Sequence, residues 1–383
     1  MNGIGRIVLF LVLSAFLSPG AYPQSSEGQQ PSLGDIARQL RGNRKSGNPC
    51  PPTKPCEGSG PISQLAESED EYRGEIQMLL GRRDFAGLDE AAESDRLSKA
   101  RVTGGIWKLY LLYEALSRPA AGDHAKDSEW AERLALLKDW VAGRPASITA
   151  RVALAECYYN YGWAARGNGS ADTVKDESWN LFDARLDQAS VILLEASKLP
   201  SKCAHWYYVV LLVARGRSWP PAKTREVLES AIALEPSYYH SYREFAYNLL
   251  PKWSGRPGEA EAFAEEVAQR IGGREGAFAY FEIATVIYCQ CGDLTAKLTL
   301  SWPKIQDGFA VLETDYGVTP LKLNRFALLA YLYRDRESAK LIFARIGDNW
   351  DPTVWKSGAT FKEAIAWAMS QVPGQRGVVE TAR

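Results

Sequence analysis

Apolar residues recur at three- and four-residue intervals almost without interruption from Glu71 onward, which is the period of helices buried along one face. Glycine and proline punctuate the pattern. It predicts helices over 71–80, 85–97, 106–116, 128–141 and 147–165. Breaks fall at 81–84, at Gly104-Gly105, over 119–127, at Gly143-Arg144-Pro145 and at Gly167-Asn168-Gly169-Ser170. Segments of strict apolar–polar alternation are absent. The single run rich in β-branched residues, 209–213, sits inside a helical register.

A longer period lies over the short one. Pro200, Pro236 and Gly272 stand 36 residues apart, and each closes an apolar helical segment. Aromatic-rich helix starts follow each: Trp206-Tyr207-Tyr208, then Tyr238-Tyr239 with Tyr242, then Phe278 with Tyr280 and Phe281. The spacing is close to the roughly 34 residues of tetratricopeptide repeats, helix-turn-helix units that stack into a solenoid. Leu228, Ala231 and Pro236 fit the end of a second helix of such a unit. Tyr242, Phe245, Ala246 and Leu249 fit the first helix that follows, as do Leu154, Ala155 and Tyr158 after Pro145. Small residues let paired helices approach, and bulky ones fill the groove between pairs. The expected fold is therefore an all-α, tetratricopeptide-like solenoid over 71–372.

Two stretches add a second resemblance. They are Glu-Phe-Ala-Tyr-Asn-Leu-Leu-Pro-Lys-Trp-Ser-Gly at 244–255, and 323–352 with Asn324-Arg325-Phe326-Ala327 and Ala344-Arg345-Ile346-Gly347-Asp348-Asn349-Trp350-Asp351-Pro352. Together they resemble the bacterial family called domain of unknown function 4034, over roughly residues 73–367. The resemblance implies a helical-repeat fold and a bacterial source. That family has no assigned activity, so no functional residues carry over.

The first 70 residues read differently. A weakly basic start, an apolar run over 7–17 and the break at Pro19-Gly20-Ala21 make residues 1–23 a secretory signal peptide, since about 11 apolar residues fall short of the roughly 20 that span a bilayer. The expected address is periplasmic or extracellular, without stable membrane insertion after cleavage. Residues 24–70, rich in Ser, Gly, Pro and Gln, form a flexible stalk, and 373–383 a disordered tail. An exported chain permits disulfides, and Cys50 and Cys56 bracket a proline-rich segment as a candidate pair. Cys157, Cys203 and Cys289 lie in apolar helical segments and read as buried thiols.

Composition narrows the function classes. A net charge of -1 with 24% charged residues lacks the basic footprint of a nucleic-acid binder. The three histidines, His124, His205 and His240, have no zinc-ligand spacing and no nucleophile motif accompanies them, so no catalytic residues, metal or cofactor are assigned. Asn349-Trp350-Asp351-Pro352 reads as a helix cap, and Pro251-Lys252-Trp253 as a helix end with Trp253 covering the insertion that follows.

The abundant aromatics, 12 Trp and 18 Tyr, supply the binding candidates. Neighbouring helical positions diverge by about 100°, so Tyr158 and Tyr159, or Tyr239 and Tyr242, cannot all fill one groove. Those four tyrosines are the expected partner-contacting residues on a concave face, and a protein or peptide is the expected partner. The rival readings are an envelope hydrolase or carbohydrate-acting protein on a helical scaffold, marked by a pocket with two convergent carboxylates, and a structural module with a featureless face.

Overall fold

The computed structural model describes residues 68–289 and 298–370, all within one compact unit of the chain. The signal segment, the stalk up to residue 67, Cys50, Cys56, Cys291 and the tail lie outside the described residues. Among those described, sixteen α-helices and no strands occur: α1 Glu69–Gly81, α2 Phe85–Ser98, α3 Lys108–Ser117, α4 Asp127–Gly143, α5 Ile148–Arg166, α6 Asp176–Ser197, α7 Ala204–Gly216, α8 Pro221–Leu234, α9 Tyr239–Asn248, α10 Glu259–Ile271, α11 Gly273–Ala284, α12 Trp302–Tyr316, α13 Pro320–Leu332, α14 Arg336–Ile346, α15 Pro352–Trp355 and α16 Gly358–Met369. A π-helical turn, Thr285–Cys289, extends α11. No described helix is long and apolar enough to cross a membrane.

Local chemistry sets the boundaries. Ser68 and Glu71 form a reciprocal capping box, so the helical body begins at Glu69, two residues before the expected edge of the stalk. Ser147 caps α5 by accepting from the Ala150 N–H at 2.9 Å. Asp351 caps α15 with Pro352 at its first position, the geometry read from the sequence.

The helices divide into an inner and an outer set. α5 packs on α6, α7 on α8, α9 on α10, α11 on α12 and α13 on α14, while α3, α5, α7, α9 and α11 also contact one another in succession. Burial separates the two sets. Ten of the 13 residues of α7 are buried, whereas α6 buries a single stripe at Phe182, Leu186, Ala189, Leu193 and Ala196. The β-branched run 209–213 is buried in α7 because that helix is covered on nearly every side. Inner helices begin at 204, 239 and 273, intervals of 35 and 34 residues. The interval widens to 47 at α13 and to 56 between α5 and α7, so the regular beat covers only three helices.

One contact joins distant parts of the chain. The turn between α2 and α3 is pinned by Val102 N–H to Ile106 O at 2.9 Å and by Lys108 N–H to Ala100 O at 2.9 Å, and it docks on α11 and α12. Gly104 N–H donates to Tyr316 O at 3.2 Å. Gly105 has φ +73° and lies so close to α11 that a Cβ there would stand 2.7 Å from the Phe278 ring. Arg101 fills the junction. It lies over the rings of Trp107, Tyr239, Phe278 and Tyr316 at 4.8–5.9 Å, and it pairs with Glu275 at 3.0 Å.

Candidate functional site

The inner helices enclose a cavity of about 600 Å³ that opens to solvent. Each of four helices presents one face to it. From α3 come Tyr110 and Glu114, with Arg118 just beyond its end; from α5, Glu156, Tyr159, Asn160 and Trp163; from α7, Tyr208, Leu212 and Arg215; from α9, His240, Arg243, Glu244 and Tyr247. On every helix the spacing is three, four or seven residues, a single helical face. These faces are polar on helices otherwise buried in apolar contacts, which marks them as more than packing.

The wall carries five cationic side chains, Arg118, Arg166, Arg215, Arg243 and Lys252, against three carboxylates, Glu114, Glu156 and Glu244, an excess of two. Each carboxylate has a protein partner. Glu114 pairs with Arg73 at 2.8 Å, Glu244 with Arg215 at 2.6 Å, and Glu156 accepts from His205 Nε2 at 2.9 Å while the other ring nitrogen of His205 meets Tyr238 Oη at 2.7 Å. Arg215 also donates to Tyr159 Oη at 2.8 Å and lies among the rings of Trp163, Tyr247 and Trp253 at 4.9–5.5 Å.

Four buried polar atoms of the wall have no hydrogen-bond partner among the described residues: Trp163 Nε1, Trp253 Nε1, His240 Nε2 and Arg243 Nε. Burial, and after it the positive charge of Arg243, holds the His240 imidazole well below its ordinary pKa, so the ring is neutral at physiological pH. Burial likewise raises the Tyr110 hydroxyl to about 12 and Tyr208 well above its usual value, so both stay protonated.

The four tyrosines expected to contact a partner separate. Tyr159 is in the cavity wall. Tyr158 points elsewhere, half-buried beneath Lys138 at 5.7 Å. Tyr239 is 2% exposed, stacked on His240 and edge-on to Phe278. Tyr242 is 1% exposed and donates to Pro236 O at 3.0 Å. Neither of the last two offers a ring to a ligand, because α9 is covered on those sides by its neighbours. Trp253 does not merely cover the insertion; it stands edge-on to Trp163 beside Arg215. His124 is exposed, His205 is fully buried, and Cys157 and Cys203 are buried free thiols.

Sequence reasoning missed Arg215, Arg243, Glu244, Glu156 and His240 as one site. The available signal was a charged residue recurring on one face of helices too apolar to need a solvated side. Among the described residues no three His, Cys, Asp or Glu side chains converge as metal ligands would. Comparison of the chain with family models, curated proteins and solved structures returned no match.

Proposed function

We propose that the chain is an exported, non-catalytic helical-repeat protein of tetratricopeptide-like build that takes a peptide segment of a partner protein into the inner cavity. The observation that carries this reading is the division of labour in the wall. The carboxylates are committed to protein partners, whereas the Trp163 and Trp253 indole N–H groups and the Arg243 Nε, all in residues of the wall, have no partner among the described residues and so have donors to give. A donor-rich wall suits a peptide, which carries a carbonyl acceptor at every residue. The volume falls in the roughly 300–1,000 Å³ of ligand pockets. The rival hydrolase reading requires a carboxylate free to exchange protons with substrate, and each wall carboxylate is engaged with Arg or His.

The test is selection from a displayed library of random peptides against the wild type and against Ala164→Trp, which puts a large ring into the cavity from α5. Peptides that bind the wild type and lose binding to a normally folded Ala164→Trp variant support the reading. Peptides that bind both proteins equally, or a library with no binder while a polysaccharide is cleaved, overturn it.

A further inference from the structure

The wall of α9 is unlike the rest of the cavity. Tyr239 Oη, His240 Nε2, Ser241 Oγ, Arg243 Nε and Asn248 Nδ2 of this one helix are all buried without a hydrogen-bond partner among the described residues, and Glu282 Oε2 of α11 joins them. Of these atoms only His240 Nε2 and Arg243 Nε belong to residues that line the cavity; buried polar groups are nearly always satisfied, so this pair asks for an occupant. His240 is 2% exposed and borders the cavity, which puts an unpartnered polar atom at the site itself.

Charge points to the kind of occupant. Behind the wall Glu282 is fully buried between Lys322 and Arg243. Lys322 holds it in a close ion pair, and Arg243 Nε stands 3.4 Å from its other oxygen. Two cations thus share one carboxylate. Buried charge in surplus is costly unless it is compensated. Arg243 is the member of this cluster that lines the cavity. Its guanidinium makes no hydrogen bond to another described residue, so its fork is available to a planar oxyanion.

We infer that the α9 wall is a carboxylate-recognition centre, in which Arg243 receives a carboxylate of the ligand, His240 lies against it, and Glu282 with Lys322 holds the Arg243 fork in place. This inference rests on the peptide reading for the source of the carboxylate, which is either the chain end of the peptide or an acidic side chain. The remaining cavity, with Arg215 and the Trp163 and Trp253 indoles, then runs along the rest of the segment.

The experiment uses the full chain and two kinds of probe. Malonate and inorganic phosphate are titrated by calorimetry into the wild type, Arg243→Leu, Arg243→Lys and Arg256→Ala, the last removing an exposed surface charge that does not line the cavity. Melting curves report folding of each. The expected result is malonate binding in the millimolar range to wild type and Arg256→Ala, weakened about thirty-fold or more in Arg243→Leu and partly retained in Arg243→Lys, which keeps the charge without the fork. Unchanged malonate affinity in a folded Arg243→Leu, no malonate binding to the wild type, or binding of phosphate alone overturns the inference. A library-selected peptide is then compared as free acid, as C-terminal amide, and with Asp and Glu changed to Asn and Gln. Loss on amidation assigns the chain end, loss on the side-chain changes assigns an acidic residue, and indifference to both overturns the centre. Malonate binding without any peptide binder would instead sink the peptide reading and leave the anion site standing.

Discussion

Replacing Arg101 by Ala tests whether the contact between the α2–α3 turn and α11–α12 holds the inner helices closed. The side chain is 10% exposed, donates to Tyr316 Oη at 2.6 Å and pairs with Glu275 at 3.0 Å. Glu275 is 43% exposed and rehydrates when Arg101 is lost, so its pairing counts for only about 0.5–1 kcal/mol. The four rings share one cation, so the cation–π term is about 1–2 kcal/mol rather than four times the pairwise value. Loss of the buried stem adds about 1 kcal/mol after partial collapse. The expected cost is about 3 kcal/mol. For a body of roughly 300 residues, with an unfolding entropy of about 0.6 kcal/mol/K, that lowers Tm by about 5 °C. Circular dichroism melts give the shift, and hydrogen exchange localises it: the Gly104 amide, bonded to Tyr316 O, should exchange faster while amides within α6 do not change. Arg101→Lys should fall between the two. A Tm within about 1 °C of wild type, with Gly104 exchange unaltered, would refute the assignment of this contact as a closing clamp.

Three further outcomes follow from the same geometry. Arg215→Met strands Glu244, which is 8% exposed, and should cost about 3–5 kcal/mol in denaturant titrations, most of it regained in the double variant with Glu244→Gln; equal losses in the single and double variants would show that the rings, not the charge, need Arg215. Burial lowers the Lys322 amine to about 8 from 10.5 against the opposing pull of Glu282, so the unfolded chain binds the extra proton between those values and this group adds stability as pH rises through that window; the stability difference between wild type and Lys322→Met should shift in favour of wild type from about pH 8 to pH 10, and a flat difference would refute the shift. Tyr239→Ala should cost about 3–5 kcal/mol and half-exposed Tyr158→Ala under about 1.5 kcal/mol, compared by urea midpoints.

Much of the helical framework was legible in the chain because its determinants are local. Ser147, Asp351 and Pro352 act within one helical turn, and the apolar run 209–213 needs only its own period to read as a buried helix. The cavity was not legible in that way. Its residues run from Tyr110 to Val286, and whether a polar face on α7 or α9 meets solvent, a groove or a cavity depends on helices far along the chain. The tyrosines illustrate the limit. Helical spacing correctly separates the directions of Tyr158 and Tyr159, yet it cannot say that α9 is covered where Tyr239 and Tyr242 lie. Glu69 and Asp70 were assigned to the stalk on composition, while the cap at Ser68 recruits them into α1.

The docking of the α2–α3 turn also has a consequence in time. In an open array each helical pair leans only on its neighbours, so a growing chain can add finished units one by one. Here Arg101 meets Tyr316, 215 residues later, and at roughly 5–20 residues per second the ribosome needs about 10–40 s to deliver that partner. Until then the α2–α3 turn rests on α11 alone, through Arg101 with Glu275 and Gly105 against Phe278, and lacks its second support on α12. The closing contact is thus among the last to form during synthesis, and a chain cut before α12 would leave the preceding helices with an apolar seam exposed to chaperones and proteases.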